Sequence, residues 1–284
     1  MARIRVLVTC ISISIFSLYA SQSGSEKGVD PTQALDMLMQ GNERFVNFEA
    51  QHPRQMNEQR QKTAKNGQKP FVSILSCSDS RVPLEILFDV GIGDIFVVRV
   101  AGNIADKCEI GSLEWGASRL GTRLIMVMGH TKCDAVIAAV KKQPLSANAS
   151  AIIDKIALAV EKTKAESGAP PTGVGGPKNY LRLSEPKDTC ATSRSRRPPT
   201  KSGAFCEAGK GLSEDAIVLK AIRANIWQSV ENILRNSEDI RNLVLEGKVK
   251  VVGALYDIQA GTVTNMGVHF NQAKILADYK PAKK

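Results

Sequence analysis

Four short apolar runs recur along this chain, with helical patterns between most of them. They are FVSILS (71–76), DIFVVRVAG (94–102), RLIMVMG (123–129) and KVKVVGALYDI (248–258). Each has strand length, and Val, Ile and Leu supply most of its residues. EIGSLEWGASRLG (109–121) reads as a helix closed by Gly121, and DAVIAAVKK (134–142) begins the next helix. SEDAIVLKAIRANIWQSVENILRN (213–236) is an amphipathic helix with Ser213 as its cap. Such alternation predicts an α/β fold: a mostly parallel central sheet of four strands, flanked by helices. After the fourth run, AG turns the chain into TVTNMGVHF, an antiparallel edge strand. DPTQALDMLMQGNERFVNF (30–48) adds a helix with Asp30 as cap and Pro31 at its first position. Residues 49–70 read as a polar linker with some helix.

The two ends of this pattern differ from its middle. MARIR is a basic start, followed by the mostly apolar VLVTCISISIFSLYA and the small polar SQSGSEKG. That layout predicts a signal peptide over residues 1–20, cleaved after Ala20, with an uncleaved anchor as the alternative. The run is short for a membrane span, and no other span is visible. The expected location is therefore outside the cytoplasm, in the periplasm, with secretion as the alternative. Residues 21–284 form one domain, interrupted at 167–211 by a Gly-, Pro-, Ser- and Arg-rich stretch that reads as a long disordered insertion. The chain carries a net charge of +10. Residues 178–210 hold eight Lys/Arg against three acids, half of that excess. A basic loop fits this better than a nucleic-acid-binding face, so no nucleic-acid partner is expected. Five cysteines remain after the leader, an odd number that argues against a complete disulfide framework.

The first apolar run ends in SCSDSRV (76–82), where a thiol, a carboxylate and a guanidinium fall within five residues. Each is costly to bury without a partner. Only three histidines occur, at 52, 130 and 269, and one stands three residues before a cysteine, in HTKC. If a helical turn starts there, His130 and Cys133 face one side. If the first and third strands are neighbours, Cys77 joins them. Two thiolates and an imidazole suit zinc, and three protein ligands leave a fourth position open. The spacing alone leaves other readings available: small buried cysteines, a hydrogen-bonded structural histidine, or a Cys77–Cys133 disulfide. Asp79 and Arg81 lie two residues apart and can pair. Beside a metal, Asp79 could accept a hydrogen bond from water or bind the metal itself. Without one, the two are a strand-end ion pair.

CSDSRVPLEILFDVGIGDIFVVRVAGN (77–103), followed by GSLEWGASRLGTRLIMVMGHTKC (111–133), resembles the β-class carbonic anhydrases. ALDMLMQGNERFV (34–46) is similar to the helix before the core of bacterial members. The likeness runs from about residue 31 to 160 and resumes at 213–268. It implies that Cys77, His130 and Cys133 bind Zn²⁺, and that Asp79 and Arg81 are the catalytic dyad, with Asp79 a fourth ligand in a closed resting state. It further implies hydration of CO₂ to bicarbonate and a proton by a zinc-bound hydroxide, in a homodimer or homotetramer. Hydrolysis of CS₂ or COS by the same ligands is the alternative. Two features depart from the family. Asp134 stands where glycine usually follows the second cysteine. The 167–211 segment is longer than the usual connection, either a real insertion or a frame error, and its Cys190 and Cys206 could pair after export.

Overall fold

The computed structural model describes residues 28–168 and 213–279. The leader at 1–20, Cys190, Cys206 and nearly all of the 167–211 segment lie outside the described residues. Strands β1 (Val72–Ser76), β2 (Ile95–Arg99), β3 (Leu124–His130), β4 (Lys250–Tyr256) and β5 (Val263–Gly267) form one sheet in the order β2-β1-β3-β4-β5. The first four are parallel, and β5 pairs antiparallel with β4. The expected architecture of four parallel strands and an antiparallel edge is the observed one. Every residue of β1 and β3 is buried, because helices cover both faces.

Nine helices are described: α1 (Pro31–Val46), α2 (Asn57–Asn66), α3 (Leu84–Leu87), α4 (Lys107–Ser118), α5 (Asp134–Lys141), α6 (Ala147–Gly168), α7 (Glu214–Asn236), α8 (Glu238–Leu245) and α9 (Gln272–Ala277). The caps expected from sequence are present. Asp30 Oδ1 accepts the N–H of Thr32 at 2.8 Å, and Ser213 Oγ accepts that of Ala216 at 3.3 Å. The helix expected from residue 134 is in fact two helices. Lys142 ends α5 in the left-handed region (φ 51°), and Pro144 lies in the turn that follows, before α6 begins.

The strands divide their side chains between two cores by simple alternation. Leu75, Ile125, Val127 and Val251 pack with α4, α5, α6 and α7 on one face. Ile74, Met126, Met128 and Val252 pack with α1 and α3 on the other. Two strand glycines let α7 approach the sheet closely. A Cβ on Gly129 would meet Ile226 Cγ1 at 2.7 Å, and one on Gly253 would meet Trp227 Cζ3 at 3.0 Å.

Because β2 lies on one side of β1 and β3 on the other, the chain reverses direction across the sheet between β1 and β3. The crevice beyond their carboxyl ends is where a site is expected in such a sheet.

One buried carboxylate ties the polar linker to the sheet. Asp89, with a fully buried side chain, accepts from Arg44 Nε at 2.6 Å and from the backbone N–H groups of Gln51 (3.0 Å) and His52 (2.8 Å). Burial pushes its pKa up, but these donors outweigh burial and hold it below the ordinary value. A depressed folded pKa contributes stability above the unfolded pKa of about 3.9 and loses it as pH falls through the folded value. Asp89→Asn, which still tolerates the φ of 46°, is expected to cost about 2–4 kcal/mol at pH 7. In urea unfolding, that cost should shrink as pH drops below about 4.

Candidate metal centre

The carboxyl ends of β1 and β3 are adjacent, with Ser76 in register with Met128. Chain pairing continues past β1, since Ser78 N–H donates to Val100 O at 3.2 Å. Cys77 therefore sits at a rigid strand end, and Asp79 and Arg81 lie in the turn beyond it. His130 is the last residue of β3, and Cys133 caps α5. No helical turn joins these two, contrary to the sequence expectation. A tight turn brings them together instead, with Lys132 at φ 55° and Thr131 N–H donating to Tyr256 O at 2.9 Å.

The donor atoms of Cys77, His130 and Cys133 lie within 4.8 Å of one another, and all three residues are buried. Both thiols are free, and their sulfurs stand 3.9 Å apart. Two sulfurs bound at about 2.3 Å to one tetrahedral zinc would stand about 3.8 Å apart. His130 Nδ1–H donates to Thr131 O at 2.9 Å, which fixes the tautomer and turns Nε2 into the cluster. That buried Nε2 has no hydrogen-bond partner among the described residues. A buried orphan acceptor beside two sulfurs is what a metal would satisfy, so the donor set fits zinc.

The two thiols shift each other's pKa in opposite directions. The hydrogen bond from Cys133 lowers the Cys77 pKa to about 4 against the opposing effect of burial, with help from the N–H groups of Asp79 and Gly102. The same bond and burial push Cys133 up. Metal binding would release the Cys133 proton.

Asp79 and Arg81 form the paired unit expected from their spacing. Arg81 Nε donates to Asp79 Oδ1 at 2.9 Å and Nη2 to Oδ2 at 2.6 Å. The guanidinium holds the carboxyl down at about 2. Arg81 also donates to Lys132 O at 3.1 Å, so it bridges the two strand-end turns. Asp79 Oδ2 lies 3.8 Å from His130 Nε2, beside the space a fourth ligand would use. His52 and His269 are not part of this cluster.

Two supports were not foreseen from sequence. Arg99, the last residue of β2, donates to Cys77 O at 2.8 Å and Asp79 O at 2.6 Å, locking the loop that carries both. Gly102 (φ 71°) donates its N–H to Cys77 Sγ at 3.3 Å. Its segment is pinned from α7: Asn225 donates to Gly102 O at 2.6 Å and Ser229 to Asn103 O at 2.9 Å. The available signal was Asn225, Ser229 and Asn232, a polar stripe at helical spacing on an otherwise apolar face.

Asp134 opens α5, is exposed, and is not among the residues with positive φ. The backbone there does not need glycine. Its charge lies near Arg81, whose pKa it helps to raise. Asp134→Gly is expected to change the catalysed rate by less than about twofold and to lower stability by about 0.5–1 kcal/mol. Parallel rate and thermal-unfolding measurements check both.

Residues 72–184, which carry all three donors, match the family model described as carbonic anhydrase. Over 110 residues the chain is 48% identical to Carbonic anhydrase 2 of Mycobacterium tuberculosis (strain CDC 1551 / Oshkosh), covering 39% of this chain and 53% of that protein. It is 44% identical over 107 residues to the carbonic anhydrase of Mycolicibacterium smegmatis, covering 38% and 52%. The chain thus spans about half the length of these curated relatives. Among solved structures, the β-carbonic anhydrase CafA of Aspergillus fumigatus superposes with a TM-score of 0.58 at 19% identity, over 87% of this chain and 98% of that one. A tetrameric β-carbonic anhydrase from Sordaria macrospora gives 0.54 at 18%, over 82% and 96%. At such identities the structures speak to the fold, while the family match speaks to the strand ends that build the cluster. Residues 72–184 thus carry the carbonic anhydrase pattern, and the fold is the one seen in the β-carbonic anhydrase structures.

Proposed function

We propose that this protein catalyses the reversible hydration of CO₂ to bicarbonate and a proton, with zinc held by Cys77, His130 and Cys133. The observation that carries this reading is the unpartnered His130 Nε2 beside two free thiols, with an Asp79–Arg81 pair at the fourth position. Zinc, when bound, supplies the Lewis acidity that makes water nucleophilic at neutral pH. Asp79 accepts a hydrogen bond from the reacting water and so aims its lone pair at the carbon of CO₂. Arg81 keeps Asp79 ionised and, through Lys132 O, fixes it relative to the β3 turn. Arg99 holds the backbone of both Cys77 and Asp79 in place. Among the described residues no second histidine joins the cluster.

Metal analysis and stopped-flow CO₂ hydration on residues 21–284 test the proposal. Zinc near one per chain with rapid hydration supports it. Zinc-loaded protein that hydrates CO₂ no faster than buffer, or that turns over only CS₂ or COS, overturns it.

The same proposal includes a homodimer or homotetramer, in keeping with the tetrameric Sordaria proteins, and light scattering checks it. It also includes export to the periplasm, supported by the leader-like pattern of residues 1–20. Amino-terminal sequencing of the fractionated protein checks cleavage. Among the described residues, no helix is long and apolar enough to cross a membrane.

A further inference from the structure

A second cavity, of about 160 Å³, lies between α6, α7 and the segment after β5. None of its lining residues belongs to the metal cluster. One side is aromatic. His269 is buried and stacks on Phe270, with ring centroids 4.4 Å apart and planes at 22°. Trp227 meets His269 edge-on at 5.4 Å. Burial lowers the His269 pKa, and its Nδ1 accepts the N–H of Asn271 at 3.1 Å, so the ring is neutral with its proton on Nε2.

The other side is cationic. Lys162, Lys220 and Arg223 line it against one acid, Glu231, which Arg235 pairs at 2.7 Å. Lys162 is oriented by Gln228 at 2.8 Å. Arg223 is half-buried and has no ion-pair partner among the described residues. Trp227 is only 7% exposed and also lines the cavity. Among the described residues, a partly desolvated guanidinium thus lacks an acidic partner beside a ring-sized apolar space. A cavity of about 150 Å³ is enough to hold benzene.

We propose that this cavity binds a small aromatic carboxylate, its ring against His269 and Phe270 and its carboxylate on Arg223. The carboxylate would pair with the guanidinium, whereas a neutral ring would leave it half-desolvated and unpaired. The site is separate from the metal centre, so it stands or falls independently of the CO₂ reaction.

Benzoate is the probe. In the Trp115→Phe protein, Trp227 is the only tryptophan, and its emission reports on this cavity alone. Benzoate should change that emission saturably in the millimolar range. Benzyl alcohol should bind at least about tenfold more weakly, the factor expected for losing a charge-assisted hydrogen bond. Arg223→Gln should weaken benzoate by a similar factor, and Arg223→Lys should recover part of the loss. The proposal is overturned by absence of saturation, by equal affinity for benzoate and benzyl alcohol, by undiminished binding in Arg223→Gln, or by a response that disappears when the metal is chelated. The comparison of the two probes needs no substitution in the cavity, so a folding defect in Arg223→Gln leaves a decisive result.

Discussion

Cys133→Ser is expected to reduce bound zinc from about one per chain to less than about a tenth, and to lower CO₂ hydration by at least about 10³-fold. Serine keeps its proton at neutral pH and offers a harder donor than thiolate. It therefore replaces one of two sulfurs that stand 3.9 Å apart, the spacing a tetrahedral zinc needs, with a poor ligand. Stability should fall as well, because a metal that binds only the folded chain stabilises it by about 4 kcal/mol when present at a thousandfold over its dissociation constant. Cys133 is also 1% exposed and packs in the α7-side core, so part of the loss will be a local packing and polarity cost. A chelator separates these contributions. With the metal removed from both proteins, most of the difference in melting temperature should vanish, leaving only the packing part. Cys108→Ser is the control: that thiol is exposed and outside the cluster, and its loss should leave zinc and rate unchanged. Full zinc and full rate in Cys133→Ser would remove Cys133 from the ligand set.

What sequence conveyed and what it concealed divide by the range of the interactions. The strands were legible because burial on both faces makes β1 and β3 continuous apolar runs. Asp30 and Ser213 were legible because a cap acts within three residues of its own position. The pairing of Asp79 with Arg81 was legible for the same reason. Convergence of Cys77 with His130 and Cys133 depended on β1 and β3 being neighbours, which spacing could pose but not decide. The reach of Arg99 to the carbonyls of Cys77 and Asp79, across 22 and 20 residues, left no local pattern at all. The division between α5 and α6 was hidden in the opposite way. Lys142 has no residue-type signature for a left-handed cap, so the helical pattern reads through it, although Pro144 follows closely. The turn at Lys132 was missed likewise, and it, rather than a helical face, is what orients His130 and Cys133 together.

Asp79→Asn should behave differently from any ligand substitution: a fall in the CO₂ hydration rate on the order of 10²- to 10⁴-fold with zinc content and melting temperature nearly unchanged. The carboxylate is not required to build the fold. Its partner Arg81 is exposed, and the loop around them is held by Arg99 through backbone carbonyls, which the substitution leaves untouched. Asparagine keeps the size and one acceptor, and that acceptor can still take the N–H of Arg81. The other oxygen becomes an amide nitrogen that only donates. Arg81 can no longer be matched by two acceptors, and the atom facing His130 Nε2, now 3.8 Å away as Oδ2, becomes either a donor or a neutral carbonyl. Neither accepts a hydrogen bond from the reacting water as a carboxylate does. Arg81→Lys should give a smaller loss, since an ammonium keeps Asp79 ionised but cannot form the bidentate pair or hold Lys132 O in the same geometry. If Asp79→Asn lost zinc along with rate, Asp79 would be acting as a ligand in the resting site rather than as the acceptor beside it, and metal analysis on the same sample distinguishes the two.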